Sequence, residues 1–228
     1  MPIFQLTAEP VFPPVALAEP EGILAVGGDL SLRRLLTAYS EGIFPWYSRG
    51  EPILWWSPDP RLVLDPHGLH IPKSLAKTMR KTPFSITCDR AFPQVIRACG
   101  QLRQKNGTWI THDLEKAFIQ LHRLGLAHSV EAWGMGENAQ PILVGGLYGL
   151  ALGGIFFGES MFHVRPEASK IALVHLARQL QARGFTLIDC QMKTDHLLRF
   201  GAYEIPRALF LTRLQEALRL PIPAGLWH

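Results

Sequence analysis

Apolar and polar positions along the chain fall into helical and strand-like patterns. Across 30–40, Leu32, Leu35, Leu36 and Tyr39 recur at three- and four-residue steps, which predicts a helix ended by Gly42. Residues 71–82 predict a second helix, with Pro72 suited to its opening and Pro83 to its stop. A third covers about 89–103, with Phe92, Val95, Ile96 and Cys99 inward. Thr111 can cap a fourth that Gly125 closes, with Asp113 and Glu115 in its first turn and Leu114, Phe118 and Leu121 inward. Asn106, Gly107 and Thr108 before it read as a turn leading to Trp109. The longest helix runs over 167–183, with a stripe of Leu173, Leu176 and Leu180 and Gly184 as its stop. A helical turn is predicted at 194–200, and Pro206 opens a last helix through Leu209, Leu214 and Leu218. Residues 129–133, 142–157 and 186–191 read instead as strands.

Residues 142–162 stand apart. Across 142–158 no side chain is charged and six residues are glycine; then come Glu159, Ser160, Met161 and Phe162. Gly145, Gly149 and Gly153 have GxxxG spacing, but the run falls short of the roughly 18–20 apolar residues that span a bilayer. No Lys/Arg cluster flanks it. Two buried strands joined by a tight turn fit better, with glycines at bulges or where backbone approaches something closely. A carboxylate at the end of such a run is expensive unless it is used. Either Glu159 braces the sheet, or the hairpin ends in an apolar pocket with an acidic rim and glycines that leave room for a ligand.

From residue 129 the order is strand, strand, strand, helix, strand, helix. That order predicts a mixed sheet in which a helix crosses from one strand to a parallel neighbour. Residues 1–62 are different, being rich in proline and turn signals and holding Trp46, Trp55 and Trp56. The expected class is α+β, with a small N-terminal α/β domain over 1–62 and a mixed-sheet domain over 63–228.

Composition narrows the setting. With 47% hydrophobic and 18% charged residues, a chain of 228 has ample core. Residues 1–6 carry neither a basic nor an apolar leader, so no secretory signal is expected. Cys88, Cys99 and Cys190 are too few and too scattered for a disulfide framework or a CxxC metal site, which fits a reducing cytoplasm. The nine histidines form no HExxH or zinc-finger pattern, so neither metal nor cofactor is expected.

Net charge is only +4, so it matters only where concentrated. Between His70 and Lys105 there are eight Lys/Arg and one acid, Asp89. On the helix at 71–82, Lys73, Lys77, Arg80 and Lys81 share one face, and Leu75 and Met79 lie on another. With no acids interleaved, this face suits phosphate contacts better than an ordinary solvated surface.

Candidate chemistry gathers at strand ends. Glu159 is expected to follow one strand, while Asp189 and Gln191 end another; open sheets place ligands at such ends. Two carboxylates beside an apolar wall suit an acid/base pair, metal ligands or a clamp for a cation, and metal is the weakest reading for want of a spaced third ligand. There is no GxSxG, P-loop or Cys–His signal. Trp46, in a turn-rich loop, suits stacking on a base. The mixed sheet with its crossover helix is similar to that of N-acetyltransferases. Residues 162–170, however, lack the glycines of the pyrophosphate loop that holds acetyl-CoA.

Seven segments then coincide with one family. They are Gly27-Gly28-Asp29-Leu30, Gly42-Ile43-Phe44-Pro45-Trp46, the stretch from Leu54 through Trp55, Trp56 and Ser57 to Arg61, Gly107-Thr108-Trp109-Ile110-Thr111, Gly158-Glu159-Ser160-Met161-Phe162, Ala168-Ser169-Lys170 and Leu187-Ile188-Asp189-Cys190-Gln191. In this order, over about residues 20–227, the chain resembles the leucyl/phenylalanyl-tRNA–protein transferases.

The resemblance implies an N-acetyltransferase-like (GNAT) second domain. The implied reaction moves Leu, Phe or Met from aminoacyl-tRNA to the N-terminal Arg or Lys of a protein, marking it for degradation, without a cofactor. It places the donor's 3′ adenosine against Trp46 and Trp109, with Tyr39 near the same site. The donor side chain would enter a pocket of Leu147, Phe156, Met161, Leu176 and Ile188. The acceptor stem would lie on Lys73, Lys77, Arg80 and Lys81. Glu159, Asp189 and Gln191 are the implied catalytic group, with Glu159, and Asp189 beside it, pairing with the acceptor's cationic residue. The family's relay makes Gln191 a base supported by Asp189. A neutral amide is a poor base, so the expectation here is that Gln191 positions the amine. Asp189 would orient Gln191 and stabilise the developing ammonium, and Cys190 would be dispensable. A monomer working in the cytoplasm is expected. Two other classes compete: an acyl-CoA-dependent N-acetyltransferase, and a tRNA-binding protein without catalysis.

Overall fold

The glycine-rich run forms the centre of the larger of two sheets. The computed structural model describes residues 3–81, 84–103, 108–221 and 227, so Pro83, Lys105, Asn106 and Gly107 lie outside the described residues. In chain order the elements are β1 (Phe4–Leu6), β2 (Ile23–Gly27), α1 (Leu32–Ser40), β3 (Phe44–Pro45), β4 (Leu54–Trp56), β5 (Arg61–Leu64), α2 (Lys73–Lys81), β6 (Ser85–Cys88) and α3 (Phe92–Arg103). They continue with α4 (His112–Arg123), β7 (Ala127–Met135), β8 (Pro141–Leu152), β9 (Ile155–His163), α5 (Ala168–Ala182), β10 (Leu187–Gln191), α6 (Asp195–Leu198), β11 (Tyr203–Ile205) and α7 (Arg207–Leu218). The class is mixed α+β. A four-stranded sheet has the order β1-β2-β4-β3, and a seven-stranded sheet the order β11-β5-β10-β9-β8-β7-β6.

In the large sheet β9 and β10 are parallel and joined by α5, while the other neighbours are antiparallel. This is the crossover that the element order predicted. Thr111 caps α4 as its position suggests, its side chain accepting from Leu114 N, and the Ser31 side chain caps α1 by accepting from Arg34 N. Gly153, at a φ of +51, turns β8 into β9.

β5 sits between β11 and β10 in the large sheet. Two expectations need correction. The second hairpin strand runs on to His163, so Glu159 lies inside β9 and not beyond its end. The glycines of β8 leave no room for a ligand, because protein atoms already fill it. A methyl on Gly145 would sit 2.6 Å from Ala168 Cβ, and one on Gly149 would sit 2.1 Å from the Phe157 carbonyl oxygen. These glycines let α5 and β9 approach β8 closely.

Both faces of the large sheet are covered, which is why β8 and β9 read as near-continuous apolar runs. One face holds Val63, Tyr148, Leu150, Phe157 and Leu187 and packs with α1, α3, α4, α7 and the small sheet. The other holds Leu62, Leu64, Leu147, Phe156 and Ile188 and packs under α2 and α5. No helix among the described residues is long and apolar enough to cross a membrane.

Candidate active site

The site lies where the two parallel strands part. Registered pairs between β9 and β10 end at Phe157 and Asp189. Just beyond, each strand carries a bulge. In β9 the register against β8 passes from Gly158 to Ser160, leaving Glu159 as the extra residue. In β10 it passes from Asp189 to Gln191 against β5, leaving Cys190 over. Gln191 has a φ of +62, in the left-handed region. Bulges re-aim side chains and occur next to active sites. Here they turn Glu159 and Gln191 toward each other across the gap.

The gap opens into a cavity of about 460 Å³. Leu147, Phe156, Met161, Leu173, Leu176 and Ile188 form an apolar wall, and Trp46 and Trp109 also line the cavity. Trp46 is held in place because its carbonyl accepts a hydrogen bond from Trp56 Nε1 at 2.7 Å.

Glu159 is only 7% exposed. Its Oε1 accepts from the Tyr39 hydroxyl at 2.8 Å and from Gln191 Nε2 at 2.9 Å. Burial pushes its pKa up to about 8; the Tyr39 hydrogen bond opposes that rise, the Asp189 charge adds to it, and Gln191 and Arg61 oppose it. Burial therefore favours the protonated form of Glu159 at neutral pH.

Asp189 is placed differently from the expectation. It is fully buried, does not line the cavity, and gives both oxygens to Arg61, with Nε to Oδ1 at 2.8 Å and Nη2 to Oδ2 at 2.7 Å. Arg61 also donates to the Gly42 carbonyl and is stacked between Phe44 and Phe210. Asp189 Oδ1 further accepts from the backbone N–H of Gln191 at 2.9 Å. It therefore holds the left-handed Gln191 backbone, but its charge is committed to Arg61 and is not presented to a ligand. Tyr39 likewise stands behind the cavity and not on it: it is 1% exposed, and its hydroxyl points at Glu159.

Comparison with known proteins decides the family. A family model described as leucyl/phenylalanyl-tRNA protein transferase matches residues 63–215, and one for the N-terminal domain of the same family matches residues 28–59. The chain is 57% identical over 229 residues to a leucyl/phenylalanyl-tRNA–protein transferase of Magnetococcus marinus, covering 100% of this chain and 97% of the relative. It is 55% identical over 225 residues to one from Chromobacterium violaceum, covering 97% and 94% of the two chains. The chain belongs to the leucyl/phenylalanyl-tRNA–protein transferase family. A solved structure described as L-PGS from Bacillus licheniformis aligns with a TM-score of 0.42 at 12% identity, covering 71% of this chain and 52% of that one. A likeness that weak carries no argument.

In this transferase the structure gathers nine of the expected residues on one cavity: Trp46, Trp109, Leu147, Phe156, Glu159, Met161, Leu176, Ile188 and Gln191. Lys73, Lys77, Arg80 and Lys81 are not among them. They lie exposed on α2, whose Leu75 is buried toward α5. Sequence reasoning missed Arg61, which ends one of the seven family segments but carried no signal of its burial. It also missed Ser160 and His196, whose Oγ and Nε2 are buried, line the cavity and have no partner among the described residues. Burial lowers the His196 pKa, with Lys170 adding to the effect, which favours the neutral ring. Burial raises the Cys190 pKa well above the ordinary thiol value. That removes thiolate chemistry from a residue that otherwise sits beside the site.

Proposed function

We propose that this transferase moves Leu, Phe or Met from aminoacyl-tRNA to the N-terminal Arg or Lys of a protein, forming a peptide bond that marks the protein for degradation. One observation carries this reading: an apolar cavity flanked by Trp46 and Trp109, with the Glu159–Gln191 pair on its wall. The apolar wall suits a donor side chain such as Leu, Phe or Met. It separates one methylene by only about 1–3 kcal/mol, which accommodates several donors. Trp46 and Trp109 suit the terminal adenosine, where stacking is worth about 1–3 kcal/mol per base. The exposed bases of α2 suit the phosphates of the acceptor stem.

The acceptor is an α-amine beside a cationic side chain. As that cation approaches, its charge favours the ionised form of Glu159, and the proton leaves as the ion pair forms. An α-amino group has a pKa near about 8, so a useful fraction is neutral at pH 7. Gln191 donates through Nε2 to Glu159, which leaves its carbonyl oxygen to accept from the incoming amine. Ser160 Oγ and His196 Nε2 are available to the donor's amino group and ester oxygens. The amine attacks the ester carbonyl, the C–O bond to the 3′ ribose breaks, and the proton lost by the amine ends on that ribose oxygen. Catalysis rests mainly on orienting amine and ester. Asp189 and Arg61 support this from behind by fixing Gln191.

The wedge between the parallel strands β9 and β10, with α5 crossing between them, supports an N-acetyltransferase-like reading of the larger domain. Every residue named comes from one chain, so a monomer suffices, and the free cysteines suit the cytoplasm.

The test is incubation with radiolabelled Phe-tRNA and a protein that begins with Arg. Label in the protein is expected. Binding of tRNA without transfer would leave only a tRNA-binding protein. Transfer from acetyl-CoA alone would make it an N-acetyltransferase.

A further inference from the structure

The wall of the cavity has a second layer that the reaction chemistry does not use. Phe156 lies with its ring edge against Gly149, where a methyl would come within 2.5 Å of its Cε1. On another side it meets Trp227, with ring centroids 5.8 Å apart. Trp227 in turn stacks face to face on His128, at 4.0 Å and 6°. His128 is the cross-strand neighbour of Gly149, whose missing side chain leaves the space that the edge of the Phe156 ring fills.

The far end of the stack is fixed. His128 Nδ1 meets Asp89 Oδ2 at 2.7 Å, and Nε2 meets the Gly125 carbonyl at 3.0 Å. Asp89 is itself fixed, because its Oδ1 accepts from Ser129 N at 2.8 Å. A ring clamped at both nitrogens cannot swing. The order is therefore Asp89, His128, Trp227, Phe156, cavity. Trp227 is 7% exposed and does not line the cavity. Its ring contact with the donor wall is to Phe156.

We infer that Trp227, held by His128, is a specificity-determining residue. It stops Phe156 from retreating and so sets how deep a donor side chain can enter. This rests on reading the cavity as the donor side-chain pocket. A close-packed interior responds to the loss of even a few atoms, and the space left behind Phe156 becomes available to the ring. Trp227→Ala should deepen the pocket and favour large donors over small ones. Trp227→Phe keeps an aromatic ring against His128 and should stay near the wild-type ranking.

The measurement is kcat/KM for transfer from Leu-tRNA, Met-tRNA, Phe-tRNA and a tRNA carrying a para-substituted Phe, together with the affinity for uncharged tRNA. For Trp227→Ala the ratio of para-substituted Phe to Leu should rise roughly tenfold, within the range by which apolar pockets discriminate size. Affinity for uncharged tRNA should stay unchanged. His128→Ala should move the ratio in the same direction, which keeps the test open if Trp227→Ala does not fold. An unchanged ratio in the folded variants, or an equal loss for every donor, would overturn the inference. Leu176→Ala, on the cavity wall itself, separates the two levels. If it changes the ranking while Trp227→Ala does not, only this inference fails. If neither changes it, the assignment of the donor pocket fails.

Discussion

Asp189 gives both of its carboxylate oxygens to Arg61, at 2.8 and 2.7 Å, and neither residue is more than 1% exposed. The pair neutralises itself in the interior, so in the proposed reaction the charge that meets the acceptor's cation is that of Glu159. Removing one partner of such a pair leaves an uncompensated buried charge, at about 3–5 kcal/mol. Arg61→Ala should lose that much in urea unfolding. Arg61→Lys should lose less, but it cannot restore the two-pronged fit. Asp189→Ala should cut transfer far more than it weakens tRNA binding, because the Gln191 backbone N–H loses its acceptor while the cavity wall stays. An equal loss of both would make the pair purely structural.

Glu159 gives a pH prediction whose sign follows from its burial. Its ordinary value is 4.5 and burial pushes it to about 8 in the folded chain. Between those values the folded state keeps a proton that the unfolded state has released. The stabilisation from this group is therefore complete below about pH 4.5, declines as pH rises, and is lost above about 8. Glu159→Gln cannot ionise, so its stability relative to wild type should grow across that window. Urea unfolding at pH 5, 6, 7, 8 and 9 checks this. Parallel curves for the two proteins would show that Glu159 is ionised throughout. The same variant should lose most of its transfer to an Arg-beginning acceptor, since the amide cannot pair with the cation.

Much of this was legible from spacing. The helical stripes, the Thr111 cap and the parallel crossover all follow from local chemistry, and the structure has each of them. What spacing did not reveal depends on contacts distant in sequence. Arg61 reads as a surface cation after a proline-rich loop, and only the pairing of β5 with β10 puts it opposite Asp189. Tyr39 reads as a helix-face aromatic that a ligand could share, but α1 turns its hydroxyl inward to Glu159, 120 positions away. The short strands β6 and β11 also escaped notice, because 3 or 4 residues carry too little periodicity to register. The bulges at Glu159 and Cys190 left no mark in the hydrophobic pattern, yet they decide which side chains face the cavity.

Helix α2 tests the nucleic-acid side. Lys73, Lys77, Arg80 and Lys81 are exposed, so changing them should leave stability within about 0.5 kcal/mol. Lys77→Glu with Arg80→Glu should weaken tRNA binding for all donors alike. The slope of log K against log salt should fall by about 1 for each phosphate that is no longer held. A salt slope identical to that of wild type would move the acceptor stem off this helix.

Two glycines of the central hairpin should behave in opposite ways. A methyl at Gly149 would lie 2.1 Å from the Phe157 carbonyl oxygen and 2.5 Å from Phe156 Cε1, so β9 itself would have to shift. Overpacking of that kind costs about 1–3 kcal/mol or more, and Gly149→Ala should show it as a lower unfolding midpoint. Gly158 differs: its backbone is not left-handed, its nearest neighbour would be the Asp189 carbonyl at 3.5 Å, and it lines the cavity. Gly158→Ala should therefore fold as well as wild type while placing a methyl between Glu159 and the donor wall. Transfer should fall with no change in the unfolding midpoint. Full transfer by Gly158→Ala would mean that no ligand approaches the β9 backbone, and the reaction would have to sit nearer the mouth of the cavity.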